Sequence, residues 1–164
     1  MDPAHTLSIR AVRESEVDLV LKFIRELAEY ERLMHQVTAS RDDIRAALFG
    51  PRPYAEAIFG CIDGEPCALA LFFHNFSTFL GKPGLYLEDL YVQPGARGRG
   101  LGSRMLAWLA RLALERGCGR FEWAVLDWNE PALKVYRGLG AQAADDWTLY
   151  RISGEALVTL AAKA

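Results

Sequence analysis

Apolar residues recur along this chain at two spacings, and the alternation between them lays out the fold. Helical spacing appears first in Val17, Val20, Leu21, Ile24, Leu27 and Ala28, behind a capping-box-like Ser15-x-x-Asp18. Ser40-x-x-Asp43 opens a shorter helix through Ile44, Ala47 and Leu48, which Gly50-Pro51 stops. The clearest helix spans Leu101 to Arg116, with apolar positions 101, 105, 106, 109, 112 and 113 and Gly117 behind it. Pro131–Gly138, with its proline in the first turn, and Glu155–Lys163 complete the helices. Strand-like runs cover Thr6–Val12, Tyr54–Ile62, Pro66–Phe76, Leu85–Val92, Arg120–Asp127 and Trp147–Ile152. Asp63-Gly64 joins the second and third as a tight hairpin, and Ser77–Gly84 reads as a loop. This order predicts an α/β fold: one domain over residues 1–164, with a mixed, partly parallel sheet flanked by helices.

Between the strand ending at Val92 and the helix starting at Leu101 lies Gln93-Pro94-Gly95-Ala96-Arg97-Gly98-Arg99-Gly100-Leu101-Gly102. A glycine-rich turn that opens a helix gathers backbone N–H groups at the positive end of the helix dipole, which suits a phosphate. Arg97 and Arg99 add charge. A Walker A loop needs Gly-Lys-Ser/Thr, whereas Gly102 is followed by Ser103-Arg104. A dinucleotide loop needs G-x-G-x-x-G, which glycines at 98, 100 and 102 do not match.

Just upstream, Leu85-Tyr86-Leu87-Glu88-Asp89-Leu90-Tyr91-Val92 carries two adjacent carboxylates inside a strand. Neighbours on a strand face opposite sides, so at least one must point toward an interior or a cleft. A buried charge is costly unless paired or used. Either a salt bridge to an arginine or a general base or cation anchor accounts for it, and Glu88 is the candidate for the latter. Downstream, Asn129-Glu130-Pro131 is a helix start in which Asn129 can serve as cap. Tyr136 follows Asn129 by two helical turns, on the same face.

The pattern Arg97-x-x-Gly100-x-Gly102 resembles the pyrophosphate loop of the GCN5-related N-acetyltransferases, the GNAT family. Glu26-Leu27-Ala28-Glu29-Tyr30-Glu31, Tyr86 to Val92, Arg97 to Ser103, Trp128-Asn129-Glu130-Pro131 and Tyr136 occur in order. Together they are similar to the diamine (spermidine/spermine) N-acetyltransferase branch from about Ile9 to Ile152. The resemblance implies a GNAT-like fold and direct transfer of the acetyl group of acetyl-CoA to a primary amine. It implies that Gly98, Arg99, Gly100, Leu101, Gly102 and Ser103, with Arg97, hold the pyrophosphate. Leu90, Tyr91 and Val92 would hold the acetyl and pantetheine by backbone contacts, with Asn129 lining the cofactor arm. Tyr136 is implied as proton donor to the leaving thiolate, Glu88 as the residue acting on the amine, and Tyr30, Glu31, Glu88 and Asp89 as substrate-binding. Asp145 and Asp146 would add to a negative cleft or form a solvated turn. Departures fall at Leu90-Tyr91, where the branch carries an aromatic pair, and at Asp127, where it carries glutamate. The short Asp63-Gly64 hairpin and the shortened acidic lead into Trp147 are further departures, so the exact amine stays open.

With 19 Lys and Arg against 21 Asp and Glu, the net charge of −2 argues against nucleic acid as the main partner. No apolar run approaches the eighteen residues of a membrane span. Met1 to His5 does not resemble a signal peptide, and Cys61, Cys67 and Cys118 read as reduced, buried thiols, so a cytoplasmic protein is expected. The scattered His5, His35 and His74 make a metal site unexpected. The branch is typically dimeric, and a homodimer is expected. Two alternatives accompany the polyamine reading: acetylation of a lysine-like amino acid, a thia-analogue or a peptide amine, or a catalytically idle acyl-CoA-binding module.

Overall fold

A computed structural model describes residues 5–164; of the amino-terminal segment read above, Met1 to Ala4 lie outside the described residues. The backbone forms two compact units, one ending at Trp128 and one comprising Asn129–Ala164.

The first unit is built on a five-stranded sheet in the order β1 (Leu7–Ala11), β2 (Glu56–Ile62), β3 (Glu65–Ser77), β4 (Lys82–Val92) and β5 (Arg120–Trp123). The first four pair antiparallel, and β5 runs parallel to β4. The mixed sheet expected from the element order is therefore present. Asp63 and Gly64 both take positive φ, 52° and 88°, the primed turn that suits a two-residue hairpin. Ser77–Gly84 is shorter as a loop than its composition predicted. Strand pairing reaches Ser77↔Lys82, so only 78–81 turn.

Helix α1 (Val17–Tyr30) buries Val17, Val20, Leu21, Phe23, Leu27 and Ala28. It begins after a 3-10 turn, Glu14–Glu16, and its cap position is Glu16 and not the predicted Ser15. The Glu16 carboxylate accepts from the Arg13 backbone N–H and pairs with the Arg10 guanidinium, which holds its pKa down to about 2. Helix α2 (Arg41–Phe49) has the predicted capping box, Ser40 with Asp43. Phe23 meets Phe59 edge to face at 5.8 Å and lies 6.2 Å from Tyr91, so α1 packs on one face of the sheet. The next residue, Gly60, faces the other side. A Cβ there would lie 2.7 Å from the Met105 sulfur of helix α3 (Leu101–Glu115). Alternation along β2 thus puts α1 and α3 on opposite faces. Cys61 is buried, but Cys67 and Cys118 are only half-buried, short of the burial expected for them.

The second unit holds α4 (Glu130–Gly138) and α5 (Gly154–Ala161). The predicted strand Trp147–Ile152 does not form, because a strand exists only when its backbone finds a ladder partner, and this segment makes none among the described residues. The fifth strand ends at Trp123 and not at Asp127.

Candidate functional site

Strand β4 is the spine of the site. Its parallel pairing with β5 runs from Gly84↔Arg120 to Leu87↔Trp123 and stops there, while its pairing with β3 continues to Val92↔Ala68. From Glu88 onward, the β5 side of β4 is open. Gln93 N–H donates to Cys67 O on the β3 side, 2.9 Å. Strand alternation then turns the N–H groups of Leu90 and Val92 away from β3, toward the open side.

A β-bulge sits where the pairing ends. Phe72 opposes Leu87 and Leu71 opposes Asp89, which leaves Glu88 as the extra residue. The bulge overrides the simple alternation expected from sequence. Glu88 is exposed, whereas Asp89 is the carboxylate that turns inward. Burial pushes the Asp89 pKa up to about 6, with the charges of Glu88 and Glu31 adding to the shift. Burial also raises the pKa of Glu31, just beyond the end of α1. Three of the predicted substrate residues therefore share one electrostatic neighbourhood. Among the described residues no three acidic, His or Cys side chains converge closely enough to hold a metal.

The glycine loop follows directly. Gly98 and Gly100 adopt left-handed φ of 74° and 76°, and nothing lies within 4 Å of where a Cβ would stand on either. Gly100 is the cap position of α3, and Arg104 N–H donates to Gly100 O at 3.0 Å. The first-turn N–H groups of Leu101, Gly102 and Ser103 have no partner within the helix. Arg97, expected beside the pyrophosphate, has contacts of its own within the protein. Its Nε donates to Val92 O at 2.9 Å, and its guanidinium lies 4.8 Å from the Tyr30 ring centre. Tyr30 in turn stacks at 6.0 Å on Trp128, over which Arg32 lies at 5.8 Å. Tyr91 is buried, with its ring against Phe23, and the same alternation turns its backbone N–H toward β3, away from the open edge. Arg99 is exposed and its charge is felt at Asp63 and Cys67, on the hairpin side.

In the second unit the Asn129 side chain accepts from Ala132 N–H at 3.4 Å and caps α4, the capping alternative read from sequence. Tyr136 lies two turns on and is half-buried. A cavity of about 410 Å³ beside the loop is lined by Ile62, Glu65, Cys67 and Gln93 to Ala96, none of them predicted site residues. Sequence reasoning missed the Gln93–Glu26 contact at 3.1 Å, which ties the loop to α1, and the Arg97–Tyr30–Trp128 stack. Neither has a local sequence signal.

An open strand edge, a bulge with flanking carboxyls and a left-handed glycine loop at a helix start thus follow one another along the chain, an arrangement that could hold a phosphate-bearing acyl donor beside an amine. Comparison with known proteins agrees. The Acetyltransferase (GNAT) family model matches residues 21–141, and the chain belongs to that family. It is an acetyl-CoA-dependent N-acetyltransferase. It is 41% identical over 166 residues to a thialysine N-epsilon-acetyltransferase of Bos taurus, covering 94% of this chain and 97% of the relative. It is 27% identical to an L-ornithine N5-acetyltransferase of Arabidopsis thaliana, over 91% of this chain and 85% of that one. Among solved structures, an integron cassette protein from V. cholerae superposes with a TM-score of 0.78 at 28% identity, covering 94% of this chain and 97% of that one.

Proposed function

We propose that residues 1–164 act as one acetyltransferase domain that transfers the acetyl group of acetyl-CoA directly to a primary amine of a small di- or polyamine or a related amine. The observation that carries this reading is the coincidence, on β4, of the bulged carboxyl pair with the edge that β5 leaves open. The relatives named for thialysine and L-ornithine support amines with a second polar end, which keeps the lysine-like alternative within the same reading. The family match runs past Trp128 into the second unit, which supports a single working domain. A homodimer in the cytoplasm is part of the proposal, and no helix among the described residues is long and apolar enough to cross a membrane.

The glycine cradle fits the cofactor's pyrophosphate: two left-handed glycines without Cβ atoms and three first-turn N–H groups suit a dianion. Leu101, Gly102 and Ser103 donate to it, with Arg99 supplying charge. When bound, acetyl-CoA supplies an activated acyl group on a thiol leaving group. The alkylamine arrives as an ammonium of pKa about 10. Glu88, directly or through a water, accepts its proton. Leu90 and Val92 N–H groups on the open edge stabilise the negative charge that develops on the carbonyl oxygen. Tyr136 donates the proton that the departing thiolate needs. Asn129 borders the cofactor arm. Tyr30, Glu31 and Asp89 hold the amine.

Gly100→Val puts a β-branched residue at a φ of 76°, where the obstacle is backbone strain and not a side-chain clash. The turn then presents its N–H groups poorly, and acetyl-CoA affinity is expected to fall more than tenfold, about 1.4 kcal/mol or more. Calorimetry on the folded variant checks this, and an unchanged Kd takes the loop out of the cofactor site.

Asp89 gives a pH signature. Its carboxyl, with a pKa near 6, is neutral below that pH and charged above it. The substrate stays an ammonium throughout pH 5–7, so any change there belongs to the protein. KM for the amine is expected to drop about tenfold from pH 5 to pH 7, the scale of one charge-assisted hydrogen bond. Glu31 titrates in the same direction, and Asp89→Asn should remove the step near 6. A parental profile in that variant would mean that Asp89 does not face the substrate.

The direct test of the function is a panel of amines with acetyl-CoA, read by release of free thiol. Turnover is expected on small amines carrying a second charged group. No thiol release with any amine, despite acetyl-CoA binding, favours the idle binding module.

A further inference from the structure

Arg97 is drawn back onto the strand it follows. Gln93 leaves β4 from a fixed point, since its backbone N–H donates to Cys67 O at 2.9 Å and its side chain donates to Glu26 of α1 at 3.1 Å. The 3-10 turn Pro94–Ala96 then reverses the chain, and Arg97 N–H closes it on Pro94 O at 3.2 Å. The Arg97 side chain thereby reaches a residue five positions earlier, where its Nε donates to Val92 O at 2.9 Å. Two rings flank the guanidinium there, Tyr30 with its centre at 4.8 Å and the buried Tyr91 at 5.9 Å.

The direction of that carbonyl gives the contact its meaning. In an antiparallel strand the N–H and C=O of one residue point to the same side. The N–H groups of Leu90 and Val92 point away from β3, so Leu90 O and Val92 O face the open edge with them. Arg97 occupies the second of these two acceptors, which leaves Leu90 O for a bound arm.

An open edge admits pairing at more than one register, because its groups repeat every two residues. The arm of acetyl-CoA carries two secondary amides and can pair like a short strand. The glycine loop anchors only the far end of this flexible arm and does not fix its register. A slip of one repeat moves the arm roughly 6.8 Å along β4. A thioester displaced by that much is out of reach of an amine held at Glu88 and Asp89, since transfer depends on placement within about an ångström. With Val92 O taken, the slipped register finds no acceptor there. Anion binding alone does not account for this placement: the first-turn N–H groups and Arg99 serve the pyrophosphate, whereas the Arg97 Nε is committed to the strand.

We infer that Arg97 is a positioning residue for the cofactor: it caps the open edge of β4 at Val92 O and so admits the arm at a single register. This rests on the acetyl-CoA reading above and deepens it.

Two substitutions separate the donor from the charge. Arg97→Gln loses the charge but carries an amide nitrogen the same number of bonds from Cα as the Arg97 Nε. Arg97→Met places a methyl group at that point and has neither donor nor charge. Steady-state kinetics with a turned-over amine, and calorimetry with acetyl-CoA and with ADP, read the outcome. ADP carries a pyrophosphate and lacks the arm. Arg97→Met is expected to lose tenfold or more in kcat. KM for acetyl-CoA should fall alongside, because an added unproductive register lowers both and leaves kcat/KM in place. Arg97→Gln should stay close to the parental kcat, and both variants should bind ADP as the parent does. An Arg97→Met variant with parental kcat, a loss confined to a raised KM, or an Arg97→Gln variant as slow as Arg97→Met overturns the inference while acetyl transfer stands. So does a fall in ADP affinity in both variants, which would make Arg97 a ligand of the pyrophosphate. A parent that binds no acetyl-CoA overturns both readings.

Discussion

Tyr136→Phe is expected to lower kcat on the order of 10²-fold, the scale of a lost general acid, with the fold and acetyl-CoA affinity preserved. The change removes one hydroxyl and keeps the ring, so the packing of α4 should persist. Its start is secured independently by the Asn129 cap and by Pro131 in the first turn. Because the thiolate acquires its negative charge only as the bond to the acetyl carbon breaks, the hydroxyl acts in the transition state and not on bound ground states. kcat and kcat/KM should therefore fall together, with KM nearly constant. Stopped-time thiol release at saturating amine measures it. A kcat within a factor of about two of the parent would assign the proton to water or to another group.

Glu88→Gln carries an effect of similar size with a different pH signature. It is nearly isosteric, and Glu88 is an exposed bulge residue, so the sheet should tolerate it. The variant lacks a proton acceptor for the ammonium and one negative charge beside Asp89. The rate near neutral pH is expected to drop on the order of 10²-fold. It should recover partly as the pH rises toward the substrate's own pKa, where free amine supplies the neutral nucleophile. Loss of the Glu88 charge also relieves the repulsion that helps raise the Asp89 pKa, so the acid-side step in KM should move to lower pH. A variant with the parental pH–rate profile would leave proton transfer to water or to Glu31.

The two variants separate two chemical problems, removal of a proton from the nucleophile and delivery of one to the leaving group. A double variant should fall by more than either single one if the steps are independent, and by little more than the larger if they act as one unit.

Much of this protein was legible in its sequence because the determining interactions are local. The Ser40–Asp43 box, the Asp63-Gly64 hairpin, the proline-started α4 and the amphipathic α3 each depend on residues within a few positions of one another. The glycine loop belongs with them, since left-handed φ at Gly98 and Gly100 is a property those residues can adopt unaided. What tertiary structure decided is set by pairing across distance. The bulge at Glu88 depends on how β3 and β4 close their register, and it settles which of the two adjacent carboxylates turns inward: Asp89, with Glu88 exposed. Trp147–Ile152 has the aromatic and branched residues of a strand, yet composition does not supply a ladder partner. Arg97 reads as a loop cation, but Val92 O and the Tyr30 ring capture it. Sequence alone named the residues expected to carry the chemistry. Which way each one points followed from the sheet register, because the side-chain period of a strand is two and one extra residue reassigns its faces.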